Sequence, residues 1–383
     1  MPHKNSQLKF IITNTIDDIP RQQWDGVFGN DIIEGWGYHK ALEESQIKEF
    51  SLNYLTAEKN NKLIAIAPFF TMDFSFATII QGRLQKLISK IQRKFPNFLK
   101  VKLLFVGLPT AEELYIGIAP GENKETIIGG ILRKLYEFCK TNKIKVILFY
   151  NLTEEQKELA GLLVANKFCK MDNFPNTRIA LGFSSYQEYL DTLSKNTRKD
   201  LRRKLNKSSS LLKLETKITD DASGLEEQIF ELYMNNFNES DVHFETLTPA
   251  FFKNICRRMK GTAKIFLTYS EDKLIAFNLC FIKNGTCIDK FIGFDKRLSH
   301  AYHLYQATFN YNINWCIENG LRFYQMGITD YHPKLRLGAK LIPLYAYFKH
   351  TNKIANIFSP LIARLIQPTN FDPTLKNLKR KID

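Results

Sequence analysis

Lys62-Leu63-Ile64-Ala65 recurs as Lys273-Leu274-Ile275-Ala276. Each copy follows a Leu-Thr pair and a short polar turn: Leu55-Thr56 in the first half, Leu267-Thr268 in the second. Further along, Tyr115-Ile116-Gly117 matches Phe291-Ile292-Gly293. Beyond these, Asn142-Lys143-Ile144-Lys145 lines up with Asn319-Gly320-Leu321-Arg322, and each opens a short apolar run. The matches keep one order over a period far longer than the roughly 20–50 residues of solenoid repeats. They describe one domain duplicated.

Around these matches, alternation and helical spacing predict the same series of elements twice. The first half reads as strand 8–14, helices 19–27 and 36–46, strands 50–57, 62–70 and 115–118, helix 125–141, strand 144–150 and helix 154–166. The second reads as strand 211–218, helices 225–238 and 249–259, strands 264–269, 274–282 and 286–293, helix 302–319 and strand 323–328. Each half is thus β-α-α-β-β-β-α-β. This is an α/β class with a mixed sheet, in which the last strand returns parallel to its predecessor through a right-handed crossover. Domains are expected at 1–180 and 181–350. A basic insertion at 73–105 interrupts the first, and a basic amphipathic tail at 351–383 follows the second.

The bulk numbers narrow the classes. A chain of 383 residues, 44% apolar and 24% charged, has the length for two packed domains and the composition for a core. Six cysteines without a Cys-x-x-Cys pair read as reduced thiols, with neither a disulfide frame nor a metal site. The start Met1-Pro2-His3-Lys4-Asn5-Ser6 lacks the apolar run of a signal peptide, so a cytoplasmic location is expected. The one membrane-span candidate, 63–80, contains Pro68 and Asp73 and reads as a buried strand instead. A net charge of +15 favours acidic partners: phosphates, nucleic acid, anionic headgroups or a phosphorylated cofactor. Three basic stretches stand out at 83–94, 195–207 and 348–381. Each is either a solvated helix face or a seat for an anionic partner, and the first and last suit peripheral contact with an anionic inner membrane face.

This element order resembles the GNAT acyltransferase fold. Two copies in one chain resemble the Fem-type peptidoglycan-bridge aminoacyltransferases and related bacterial GNAT N-acetyltransferases. Residues 186–204 are similar to the linker of that group, with Lys195, Arg198, Arg202 and Arg203 in its basic positions. Asp330 to Lys340 resembles the segment that follows its parallel strand. The resemblance implies two tandem GNAT-like domains. It also implies acyl-CoA as co-substrate, with no permanently bound cofactor, and an amine acceptor that is a small molecule or part of the cell envelope. The pantetheine arm would lie on the edge Phe291-Ile292-Gly293, and the pyrophosphate at a helix start near Arg297, Ser299 and His300. The sequence departs from the family there: Lys296-Arg297-Leu298-Ser299-His300-Ala301 has no glycine, and Gly121 and Gly129-Gly130 of the first half are displaced. Fem-type enzymes also lack that loop and take their acyl group from aminoacyl-tRNA, so tRNA is the alternative donor.

Individual residues follow. Asp289 lies mid-strand among apolar neighbours; it either pairs across the sheet toward solvent or acts as general base for an amine. Asp330, Tyr331, His332 and Lys334 follow the carboxyl end of the last strand, where ligands of open α/β sheets gather. Tyr331 is expected to protonate a leaving thiolate, and Lys334 to hold a carboxylate or phosphate. Asp241, His243 and Glu245 read as a loop on the acceptor side or as a plain connection. Lys195 and Arg198 are the expected anion contacts of the linker. No Ser/His/Asp or Cys/His order points to a covalent intermediate, so the expected chemistry is direct attack. The remaining possibility is a non-enzymatic pair of degenerate domains that binds an anionic polymer or membrane.

Overall fold

The computed structural model describes residues 8–29, 31–75, 91, 94–95, 100–239 and 246–382. Among the described residues the chain forms two mixed sheets. The first runs β1-β2-β3-β4-β6-β15-β7, with β5 paired to β3. Its strands are β1 (Leu8–Thr13), β2 (Phe50–Lys59), β3 (Lys62–Ser75), β4 (Lys100–Val106), β5 (Gly117–Ile118), β6 (Val146–Leu152) and β7 (Cys169–Asp172). The second runs β9-β10-β11-β12-β13-β8-β14. It uses β8 (Asn176–Ala180), β9 (Leu214–Thr219), β10 (Ala263–Ser270), β11 (Lys273–Lys283), β12 (Thr286–Phe294), β13 (Phe323–Gln325) and β14 (Lys340–Ile342). The strand β15 (Tyr345–His350) belongs to the first sheet.

The repeat survives in the register. Pairing of β2 with β3 skips Ile64, and pairing of β10 with β11 skips Ile275, so both copies of the tetrapeptide carry a bulge at the same place. The bulged carbonyls do equivalent work: Ile64 O accepts from Ala119 N, and Ile275 O from Asp295 N. Ala65 pairs with Ile118 as Ala276 pairs with Phe294, so Gly117 and Gly293 are counterparts. The long helices Lys124–Thr141 and Leu304–Glu318 end alike. Asn142 and Asn319 turn their amides back onto Phe138 O and Trp315 O, and Lys143 and Gly320 follow with positive φ. The Leu-Thr pairs are not counterparts: by register Ala57 matches Thr268, one residue out of step.

Among the described residues five strands are absent from the sequence reading: β4, β7 and β8 in the first half, β14 and β15 in the second. β4 pairs antiparallel with β3 and parallel with β6, inside the stretch assigned to an insertion. Together β4 and β5 stand where β12 stands in the second half. The helix expected at 83–94 lies outside the described residues except for 91 and 94.

Each half lends one strand to the other. β8 enters the second sheet between β13 and β14, and β15 enters the first between β6 and β7. A boundary at residue 180 therefore leaves β8 with the half whose sheet it does not join. One apolar core runs between the two sheets, with Tyr38, Phe70 and Phe105 from the first half and Phe251, Phe252, Phe277 and Phe281 from the second. The counterpart helices Trp36–Glu44 and Pro249–Arg258 pack on each other, tied by Glu44 to Arg257 and Arg258. Among the described residues, no helix is long and apolar enough to cross a membrane.

Candidate active site

β12 and β13 are hydrogen-bonded only over Thr286–Ile288 and Phe323–Gln325; beyond that they part. Asp289 is the first residue past the parting. It is 3% exposed, and its Oδ2 accepts from Asn278 Nδ2 on β11 (2.7 Å), Tyr324 Oη on β13 (2.5 Å) and Asn312 Nδ2 on the long helix (3.3 Å). Its Oδ1 has no hydrogen-bond partner among the described residues. Burial pushes its carboxyl up to about 6, against the pull of those three donors and of Lys334.

The next residue, Lys290, is a bulge: Leu279 pairs with Phe291 and Cys280 with Asp289. A bulge re-aims its side chain. The Lys290 ammonium meets Glu34 (3.0 Å) and Glu112 (3.5 Å) of the first half. Burial alone would lower its pKa; the charges of Glu34 and Glu112 and the nearby Tyr38 outweigh that and raise it. Glu112 Oε2 also accepts from Asn176 (2.6 Å) and Gln325 (3.0 Å), and Gln325 accepts from Arg178 (3.0 Å). Where the second half has one bulged residue, the first half has the whole loop from Gly107 to Leu114 between β4 and β5. That loop supplies Glu112 and Glu113. Tyr115 donates to Glu113 (3.2 Å), whose carboxyl is raised by burial. A cavity of about 10 Å³, lined by Glu34, His39, Glu113 and Tyr115, lies beside them.

Lys334 sits on the short helix Tyr331–Arg336, 4% exposed, and donates to the carbonyl of Met326 at the end of β13. Burial lowers it to about 8, opposed by Asp330, Asp289 and Glu112. Asp289 and Lys334 therefore share the gap at the end of β13. Asp330 is exposed in a left-handed conformation at the helix start. Tyr331 is directed elsewhere: its buried hydroxyl donates to Pro175 O (3.0 Å), so the expected proton donor is engaged by the backbone before β8. A different hydroxyl, that of Tyr305 in the first turn of the long helix, is buried without a partner among the described residues. Its pKa is raised by burial and by the charges of Asp330 and Asp289.

The expected pyrophosphate seat is built differently. Arg297, Ser299 and His300 lie on a separate helix, Lys296–Tyr302, and the long helix begins only after His303 in a left-handed conformation. The N–H groups of Arg297 and Leu298 already bind Asp295, which pairs with Lys273 (2.7 Å). A carboxylate thus occupies the place an anion would take. His300 faces Glu239 (3.5 Å). Phe291, Ile292 and Gly293 lie on β12 past the parting. The basic run forms the helix Lys195–Leu212: Lys195 is exposed, and Arg198 caps the carbonyls of Asp191 and Leu193. Lys204, Lys207 and Arg203 on this helix crowd His303 at the amino end of the long helix and lower its pKa after burial. Asp241, His243 and Glu245 lie outside the described residues.

Sequence reading missed Glu34, Glu112, Tyr305 and Tyr324. A signal existed for the Asp289 cluster: Asn278 stands alone among Phe277, Leu279, Cys280 and Phe281 in a buried strand. A lone amide in such a strand requires a buried partner.

A profile of the FemAB-like family, described as peptidoglycan biosynthesis/recognition, matches residues 15–356. The chain is similar to a Mycobacterium tuberculosis (strain CDC 1551 / Oshkosh) protein named "Putative 8-amino-7-oxononanoate synthase 2", at 22% identity over 351 residues, 89% of this chain and 45% of that one. The chain thus spans about half the length of this curated relative. Among solved structures it shares its fold with FemX, at TM-score 0.52 and 10% identity, covering 88% of this chain and 96% of that one. It shares it also with a tandem GNAT protein from the clavulanic acid biosynthesis pathway, at TM-score 0.51 and 10% identity, covering 90% and 99%.

Proposed function

The chain belongs to the FemAB-like family, here with the tandem fold of GNAT acyltransferases, and we propose that its second half acylates an amine at Asp289. The observation that carries this reading is a buried carboxylate at the parting of β12 and β13, with one oxygen unpartnered and a pKa raised to about 6. Such a group is ionised near neutral pH and basic enough to take a proton from an amine as it attacks. By register its counterpart in the first half is Val106, which cannot do this. The amine nitrogen attacks the acyl carbonyl directly, its proton passes to Asp289, and the carrier leaves. The unpartnered Tyr305 hydroxyl protonates the leaving group in this scheme, in place of Tyr331. Lys334 holds an anionic part of a substrate.

The donor in the first reading is acyl-CoA, its arm along Phe291–Gly293. The second reading, aminoacyl-tRNA, is favoured by Asp295 in the pyrophosphate seat and by the basic helix at His303. The family description supports a cell-envelope amine as acceptor.

The test is an amine-acylation assay of the full chain with acetyl-CoA, a long-chain acyl-CoA and charged tRNA as donors. Asp289→Asn lowers kcat by roughly 10²–10⁴-fold, whereas Lys334→Ala chiefly raises KM. For the wild type, kcat/KM rises with pH through about 6, as Asp289 loses its proton, and falls through about 8, as Lys334 loses its charge. Unchanged kinetics in both variants would remove the chemistry from this gap.

A further inference from the structure

We propose that the apolar ridge formed by residues 354–365 docks on an anionic lipid surface. After β15 the chain forms the short helices Lys353–Asn356 and Ser359–Leu365. Ile354 (73% exposed), Ile357 (72%), Phe358 (58%), Leu361 (57%), Ile362 (40%) and Leu365 (62%) all face outward. These are six of the eleven large apolar side chains exposed among the described residues, gathered in one stretch. A concentration of this kind marks an interaction surface rather than scattered exposure. The ridge is not a loose end. Its inner side buries Ser359 and Ala363, and the second helix packs on β7 and β15. Asn356 ties the first helix to Lys167 O (3.1 Å) and to His350 N (2.9 Å).

Charge selects the partner. Residues 351–371 contain no Asp or Glu, while Lys353 and Arg364 flank the ridge. Lys349 and Lys167 add to this side, and Lys167 and Lys353 lie close enough to Lys349 to depress its pKa further after burial. Among the described residues no carboxylate lies within 4.0 Å of any of these four cations. A second copy of this chain would bring like charges together on the ridge. Anionic headgroups neutralise them while the acyl region receives the side chains, the mode of an interfacial amphipathic helix.

The test is co-sedimentation of the full chain with vesicles of phosphatidylcholine alone and of phosphatidylcholine with phosphatidylglycerol, in low and high salt. The wild type is expected to bind the anionic vesicles preferentially and to be released by salt. The pair Ile357→Asp with Leu361→Asp, and separately the pair Lys353→Glu with Arg364→Glu, weaken that binding by at least roughly tenfold. Both pairs keep the wild-type melting temperature, since the side chains are exposed. Because amine acylation is not the readout, failure here leaves the proposal for Asp289 standing. Three results would overturn the inference: no binding of the wild type to anionic vesicles, undiminished binding by both pairs, or self-association in the ultracentrifuge that the aspartate pair abolishes.

Discussion

At position 289 the second half places a carboxylate where the first half places Val106, and the difference has a thermodynamic signature. Asp289 is buried, and its pKa is raised from 3.8 to about 6. Between those values the folded state holds the proton more tightly than the unfolded state. The stability this group contributes is therefore present below about pH 4 and lost as pH rises through about 6. Above that, the ionised carboxylate opposes folding by on the order of 3 kcal/mol. Asp289→Asn should raise the melting temperature at pH 8, and the gain should disappear at pH 4. Thermal scans of both proteins at the two pH values check this. A variant that is more stable but inactive is the pattern expected of a functional site.

At the scale of elements, the matched Tyr-Ile-Gly and Phe-Ile-Gly are explained by packing. A Cβ on Gly293 would lie 2.5 Å from the backbone of Leu232, on the helix Glu226–Phe237, and 2.4 Å from the Phe277 ring. On Gly117 the nearest atoms it would meet belong to side chains, Val27 at 2.7 Å and Phe28 at 3.0 Å. Each glycine lies where a preceding helix packs tightly on its strand. Gly293→Ala should cost about 1–3 kcal/mol, because a helix backbone cannot step aside, and Gly117→Ala less, because side chains can. Urea unfolding of the two variants compares them. Ile64 and Ile275 hold the repeat in register, while at the second bulge the copies diverged: one residue, Lys290, on one side and the loop Gly107–Leu114 on the other.

For the whole molecule, the halves relate as partners in an isologous pair. Counterpart helices pack together, counterpart bulges meet at Glu112 and Lys290, and counterpart strands β8 and β15 change places. Such an arrangement should unfold as one unit. Calorimetry of the full chain is expected to show a single transition, and residues 1–180 alone, lacking the strand that joins β6 to β7, no cooperative melt. Lys290 is the electrostatic pin of the seam. Its side chain and that of Glu34 are each 4% exposed. Lys290→Met leaves Glu34 and Glu112 buried without their cation and should cost about 3–5 kcal/mol by chemical denaturation.

Legible in one dimension were the duplication, the repeated β-α-α-β-β-β-α-β series, and Asp289 and Lys334 as residues of interest. Those features are local or periodic: alternation, helical spacing, turn chemistry and a short repeat survive in one dimension. The remainder depends on contacts between distant parts of the chain. β4 was hidden because its pairing partners lie far away along the chain. The exchange of β8 and β15 depends on which open sheet edge each strand meets, and no local pattern encodes that. Glu34 and Glu112 have no local pattern that sets them apart; the fold brings Lys290 between them. Tyr331 and Tyr305 are the same residue type, and neither neighbourhood in the sequence reveals what its hydroxyl meets. Only the packed chain binds one hydroxyl to Pro175 and leaves the other unpartnered beside the gap, because hydrogen-bond satisfaction is a property of neighbours in space.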